Sequence, residues 1–186
     1  MKKIILFILT IITFACSTTK QVNPKSTETP FVWEGANMYF LLTDRFNNGD
    51  KTNDINFNRT KPTGKLRGFE GGDLRGIIQK IEEGYFTDLG INAIWMTPIV
   101  EQIHGSVDEG TGNSYGFHGY WAKDWTALDP NFGTKEDLKE LVEKAHAKGI
   151  RIVLDAVINH TGPVTENDEV YPNNWVRTQP QCKYDS

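Results

Sequence analysis

Apolar residues in this chain fall into two rhythms that alternate along it. A short apolar and aromatic run over 38–43 (MYFLLT) predicts a first strand, followed at once by the polar stretch 44–50. Over 74–89, Ile77, Ile78, Ile81 and Tyr85 recur at helical spacing, and Gly90 suits the helix C-terminus. A second run over 91–96 (INAIWM) predicts a strand halted by Thr97 and Pro98. The order then repeats. Thr134 can cap the exposed amides of a helix whose apolar face is Leu138, Leu141, Val142 and Ala145. Gly149 ends that helix, and 150–154 (IRIVL) predicts a third strand that delivers Asp155 at its C-terminal end. Helix, glycine, buried strand and polar rim, twice over, predict parallel strands joined by crossover helices.

The stretch over 100–132 is too long for a plain connection. It holds Tyr115, Phe117, His118, Tyr120, Trp121 and Trp125, so an aromatic, functional loop is expected there. At the N-terminus, two lysines precede an apolar run over 4–15 that is short for a bilayer span. The segment 13–16 (TFAC) resembles a bacterial lipoprotein cleavage box with Cys16 as the lipidated residue; an ordinary secretory signal with an incidental Cys16 is the alternative. The chain thus divides into a signal peptide over 1–16, a flexible Ser/Thr/Lys/Pro tether over 17–30, and a folded part over 31–186. Its last residues are polar and read as the middle of a loop, so a truncated domain is expected.

Charge and cysteine content narrow the partners. The net charge is −4, or −6 once Lys2 and Lys3 leave with the signal, and no basic cluster appears. Nucleic acid is therefore an excluded partner. If Cys16 is acylated, Cys182 stands alone and no disulfide framework is expected. The 17 glycines and 5 tryptophans suit loops and stacking surfaces for uncharged, ring-shaped ligands.

Three polar clusters fall where parallel strands would end. Asn48, Asp50, Asn53 and Asp54, with Gly71 and Asp73 further on, offer oxygen donors without thiol or imidazole, which suits a hard cation such as calcium. On composition alone, a solvated Asn/Gly/Asp turn is the favoured account of that cluster. His118, Tyr120 and Trp121 surround Gly119 and suit a sugar-stacking wall, although a lone His beside aromatics is often packed core. Asp155, Asn159 and His160 form the third cluster, and on its own a rim Asp can simply cap a loop.

Taken together, the clusters resemble the α-amylase family of glycoside hydrolases. The hexapeptide 155–160 (DAVINH) is similar to the family's first conserved region after strand three. The segments 118–121 (HGYW) and 129–134 (DPNFGT) resemble its strand-two loop. The segment 43–50 (TDRFNNGD) resembles the strand-one loop of cyclodextrin glucanotransferases, maltogenic amylases and cyclomaltodextrinases. The resemblance implies the first three strands of a calcium-dependent (β/α)8 TIM barrel acting on α-glucans by a retaining mechanism. It implies that Tyr120 stacks on the sugar at the cleavage point, with Trp121 beside it, and that His118 and His160 hydrogen-bond that sugar's hydroxyls. Asp155 would orient the neighbouring catalytic groups. Asn159 would ligate one calcium, and Asn48, Asp50, Asn53, Asp54, the Gly71 carbonyl and Asp73 a second, with Asn48 standing where some relatives carry Asp.

The family's nucleophilic Asp, acid/base Glu and stabilising Asp belong to later strands, so no catalytic residue is expected in this chain. A barrel needs about 250 residues, so the chain alone is expected to be poorly folded and inactive. A glucanotransferase and a non-catalytic glucan-binding lipoprotein are the competing readings. A lipid on Cys16 would place the protein at the cell envelope, in the outer membrane or on the cell surface or periplasmic side.

Overall fold

The computed structural model describes residues 30–171; the signal segment, Cys16, the tether up to residue 29 and Cys182 lie outside the described residues. Three parallel strands carry the architecture: β1 (Met38–Leu41), β2 (Ala93–Met96) and β7 (Arg151–Leu154), in spatial order β1-β2-β7. Their register aligns Tyr39, Ile94 and Ile152 in one row and Phe40, Trp95 and Val153 in the next. Because side chains alternate across a strand, the two rows face opposite sides of the sheet.

The first side carries the core. Leu41, Ile94 and Met96 pack there against Leu74, Ile77, Ile78 and Ile81 of α2 (Leu74–Glu82) and against Leu141 and Ala145 of α4 (Lys135–Ala147). Helix α4 begins where the sequence predicts. The Thr134 hydroxyl accepts from the Asp137 amide at 3.1 Å, and the Asp137 carboxylate accepts from the Thr134 amide at 2.8 Å, closing a capping box. The second side is bare: Phe40 is 50% and Trp95 37% exposed, and their rings meet edge to face at 4.9 Å. Three parallel strands do not close into a barrel, which leaves this aromatic face exposed.

Two expectations need correction. The single helix expected over 74–89 is broken at Gly84, whose φ of +86° is left-handed backbone that favours glycine. Short helix α3 (Tyr85–Asp88) then takes a new direction, which buries Phe86 against Tyr39 and against Phe46 of the one-turn helix α1 (Thr43–Phe46), at ring distances of 5.4 and 5.5 Å. A uniform helical period cannot show such a re-aiming.

The stretch over 100–132 is also more than a loop. It forms an antiparallel pair, β3 (Val100–Gln102) with β6 (Ala122–Leu128), and a small hairpin, β4 (Val107–Asp108) with β5 (Asn113–Ser114). The β3–β6 register shifts twice, and such irregularity erases the alternation that announces a strand in sequence. No helix of the described residues is long and apolar enough to cross a membrane.

Candidate functional site

Parallel strands point all their C-terminal ends the same way, so the segments after β1, β2 and β7 meet on one rim. Thr43 and Thr97 tie the first two ends together, the Thr43 amide donating to the Thr97 hydroxyl at 3.1 Å. Asp155 follows β7, and its Oδ2 accepts from the Tyr120 hydroxyl at 2.9 Å and from the Trp95 indole nitrogen at 3.3 Å. The His160 Nε2 lies 3.0 Å from the Tyr120 carbonyl oxygen. His118 Nδ1 accepts from the Tyr120 amide at 3.0 Å, and the two rings stack with an interplanar angle of 18°. Trp121 meets the His118 ring edge-on at 4.8 Å. His118, Tyr120, Trp121, Asp155 and His160, separated by up to 42 positions in the sequence, thus form one continuous polar and aromatic wall.

Burial shifts the titration of two members of this wall, Tyr120 and His118. Burial pushes the Tyr120 phenol above its usual value, and the hydrogen bond to Asp155 adds to the effect, so the hydroxyl remains a donor. Burial pushes the His118 imidazole below its usual value; Glu109 opposes that shift and Arg45 reinforces it. At neutral pH, His118 is therefore an uncharged ring whose Nδ1 is held by the Tyr120 amide and whose Nε2–H remains available as a donor.

A titration should show this directly. The His118 resonances are expected to give a pKa below the ordinary value of about 6.5. Between the unfolded and the lower folded pKa the unfolded chain binds the extra proton, so stability falls as the pH drops through that window. A value at or above the ordinary one would refute the assignment.

Other contacts belong to this rim but carry no signal of their own in the sequence. Trp95 reaches Asp155 from the bare face of the sheet. The Trp125 indole nitrogen donates to the Val157 carbonyl at 2.7 Å and pins the segment after β7 onto β6. Beneath them, Arg59 forms a two-pronged pair with Asp129 at 2.8 and 2.7 Å. Asp129 opens the 129–134 motif, but its pairing with Arg59 has no local signal and emerges only when the fold brings the two together.

The second cluster lies on the same end of the sheet, in the connection after β1. Asp73 caps α2, and its carboxylate accepts from the Gly76, Gly49 and Asp50 amides and the Asn53 side-chain nitrogen at 2.6 to 3.2 Å. Asp54 Oδ1 accepts from the Asn48 side-chain nitrogen at 2.8 Å. The side-chain oxygens of Asn48 and Asn53 are buried and have no partner. Gly71 closes the cluster: a Cβ there would fall 2.2 Å from Asn48 Nδ2 and 2.5 Å from Asp54 Oδ1. Asp50 is turned toward Thr52, whose amide and hydroxyl it accepts.

Among the described residues no three His, Cys, Asp or Glu side chains are grouped to hold a metal ion, so a cation here would need amide and carbonyl oxygens beside any carboxylate. Asn159 stands apart from this cluster, exposed and without a hydrogen bond among the described residues.

Parallel β/α units whose strand ends gather on one rim are the repeating unit of a (β/α)8 barrel. The family described as alpha amylase, catalytic domain, matches residues 40–181, and the chain belongs to it. It is 48% identical over 146 residues to the periplasmic alpha-amylase of Escherichia coli, covering 76% of this chain and 21% of that protein. It is 40% identical over 139 residues to a cyclomaltodextrin glucanotransferase of Thermoanaerobacterium thermosulfurigenes, covering 74% of this chain and 20% of that protein. Among solved structures, the cyclomaltodextrin glucanotransferase CldA superposes with a TM-score of 0.60 at 38% identity, over 70% of this chain and 27% of that chain. The chain spans about a fifth of the length of these curated relatives.

Proposed function

We propose that this chain forms the N-terminal part of a retaining, calcium-dependent hydrolase of α-1,4-glucans, supplying one wall of its sugar site. The observation that carries the reading is the Tyr120 hydroxyl bonded to Asp155 at 2.9 Å, with His118 stacked on the same tyrosine. A hydroxyl-rich ring is recognised by a flat aromatic surface edged with hydrogen-bonding groups. Tyr120 and Trp121 supply the surface, and His118 and His160 supply the groups at its edge. Asp155 positions the Tyr120 hydroxyl and presents a carboxylate to whatever lies across the sheet. It is not the nucleophile: a retaining mechanism uses two carboxyl groups about 5 Å apart on either side of the scissile bond, and those groups come from strands beyond this chain.

Calcium fits the second cluster. Two buried amide oxygens without partners, beside the Asp54 carboxylate, are what an oxygen-seeking cation would satisfy. Asn48, Asp50, Asn53, Asp54, the Gly71 carbonyl and Asp73 would hold it, and Asn159 would contribute to a separate site. When bound, the ion supplies positive charge that cross-links the connection between β1 and α2. Asp73 already serves four donors, so its share in ligation requires the Asn53 side-chain nitrogen to turn away.

A glucanotransferase is the second reading, favoured by the 40% identity to such an enzyme. The periplasmic relative at 48% identity favours an envelope location, and a lipid on Cys16 would anchor the protein there. Membrane fractionation of a Cys16→Ala variant checks the anchor, with release into the soluble fraction expected.

The central test is enzymatic. The 186-residue chain alone is expected to release no sugar from starch or cyclodextrin. The polypeptide extended through a downstream frame bearing an Arg-x-Asp strand and a later Glu strand is expected to release it. In that extended protein Asp155→Ala should lower kcat/KM by about a hundredfold or more. Hydrolysis by the 186-residue chain, or full activity of the Asp155 variant, would overturn the reading.

A further inference from the structure

A chain of buried polar groups runs between the Asn/Asp connection and the aromatic wall. It begins at the Asn53 and Asp54 carbonyls, which accept from Asn131 Nδ2 at 3.0 and 2.7 Å. The Asn131 side-chain oxygen accepts from Arg59 Nη1 at 2.5 Å, and both Arg59 terminal nitrogens engage Asp129. Asp129 Oδ2 also accepts from the Gln102 amide at 2.9 Å, while the Gln102 carbonyl accepts from Arg59 at 3.0 Å. The Gln102 side chain completes the chain: its Oε1 accepts from the Trp121 amide at 2.8 Å and its Nε2 donates to the Val100 carbonyl at 2.9 Å. Gln102 and Asp129 are fully buried, and Asn131 and Arg59 nearly so.

We propose that Gln102 is a positioning residue that fixes the backbone of Tyr120 and Trp121, and that Asp129, Arg59 and Asn131 tie this backbone to the Asn53–Asp54 connection. The physical reason lies in the irregular pairing around it. The β3–β6 register shifts between Val100, Glu101 and Gln102, so a regular ladder does not dictate where β6, into which the wall segment leads, begins. A side-chain amide, donor on one arm and acceptor on the other, fills that gap by bonding the two backbones it lies between. Water does not compete at a fully buried site, so each bond holds a single geometry.

Gln102 touches no sugar in this scheme. It acts through the backbone on which His118, Tyr120 and Trp121 are carried. The importance of that wall rests on the proposed glucan site, but the link itself does not, and its test uses neither sugar nor turnover.

The measurement is residue-resolved amide hydrogen exchange on the polypeptide extended through the downstream frame. Gln102→Met keeps the side-chain volume and removes both bonds. It is expected to speed exchange at Trp121 by about tenfold or more, with Tyr120 following, while Ile81 and Leu141 in the two helices stay within about threefold. Gln102→Glu, kept protonated by its buried setting, reproduces both contacts and is expected to restore protection at Trp121 to within about threefold. Asn131→Leu, which cuts the far end, is expected to speed exchange at Trp121 as well as at the Asn53–Asp54 connection.

An unchanged Trp121 amide in Gln102→Met, or a glutamate variant that behaves like the methionine one, overturns the positioning role. An equal rise throughout the molecule, or a Trp121 amide unprotected in the unsubstituted chain, overturns it too. A Trp121 amide indifferent to Asn131→Leu overturns the link to the connection.

Discussion

Asp129→Ala is expected to destabilise the fold by about 3–5 kcal/mol, the range for removing one partner of a buried ion pair. The Arg59 and Asp129 side chains are 1% and 0% exposed, and they meet at 2.7 Å. Without Asp129 the guanidinium keeps the Asn131 side chain and two backbone carbonyls as acceptors, but no counter-charge. Phe57 and Phe69 face the same guanidinium at 4.9 and 4.7 Å, and their rings offset only part of that loss. The Gln102 and Asn131 amides lose their acceptor in the same step. A paired change, Arg59→Met with Asp129→Leu, is expected to recover much of the loss, because it leaves no charge to desolvate. Urea unfolding measures both, read as midpoint shifts at constant slope. A loss under about 1 kcal/mol for Asp129→Ala would show that water reaches the pair.

Gly76→Ala runs against helix propensity. Gly76 lies inside α2, where alanine is normally favoured by about 1 kcal/mol. Here the Cβ would fall 1.8 Å from the Asn47 carbonyl oxygen and 2.5 Å from its carbon. Those are backbone atoms, and they cannot swing aside as a long side chain would. The Asn47 side-chain nitrogen and the Asp73 amide bind on the same turn, at 3.2 Å to the Gly76 carbonyl and 3.1 Å to the Asn47 carbonyl. The expected result is a net loss of about 3 kcal/mol, at the upper end of overpacking costs, with the connection over 47–54 displaced. Gly35→Ala, where a Cβ would meet nothing within 4 Å, serves as the control and should change little. A stabilised Gly76→Ala variant would mean that the connection does not lie against the helix as described.

These two sites mark the boundary of what was legible in the residues. The three parallel strands, helix α4 with its Thr134 cap, and the rim position of Asp155 could all be read from local patterns. A period of two or of 3.6 is set by neighbours in the chain, and capping chemistry spans only three residues. The resemblance carried by 118–121 and 155–160 correctly placed the chain in its family. The break at Gly84 was hidden because Tyr85 continues the helical spacing while Phe86 is turned inward by Tyr39 and Phe46. The β3–β6 pair was hidden because its register is irregular.

The sequence by itself determined which elements form, which of their faces are apolar, and which residue types reach the ends of the strands. Each of these follows from the chain's short-range stereochemistry. Only the tertiary structure decided that Arg59 is buried against Asp129, that Gly76 must lack a side chain, and that Gln102 holds the backbone of Trp121. Those roles depend on groups brought within about 3 Å across gaps of many residues, and the energy of burying a charge or an amide is set by what surrounds it. No local pattern records that surrounding.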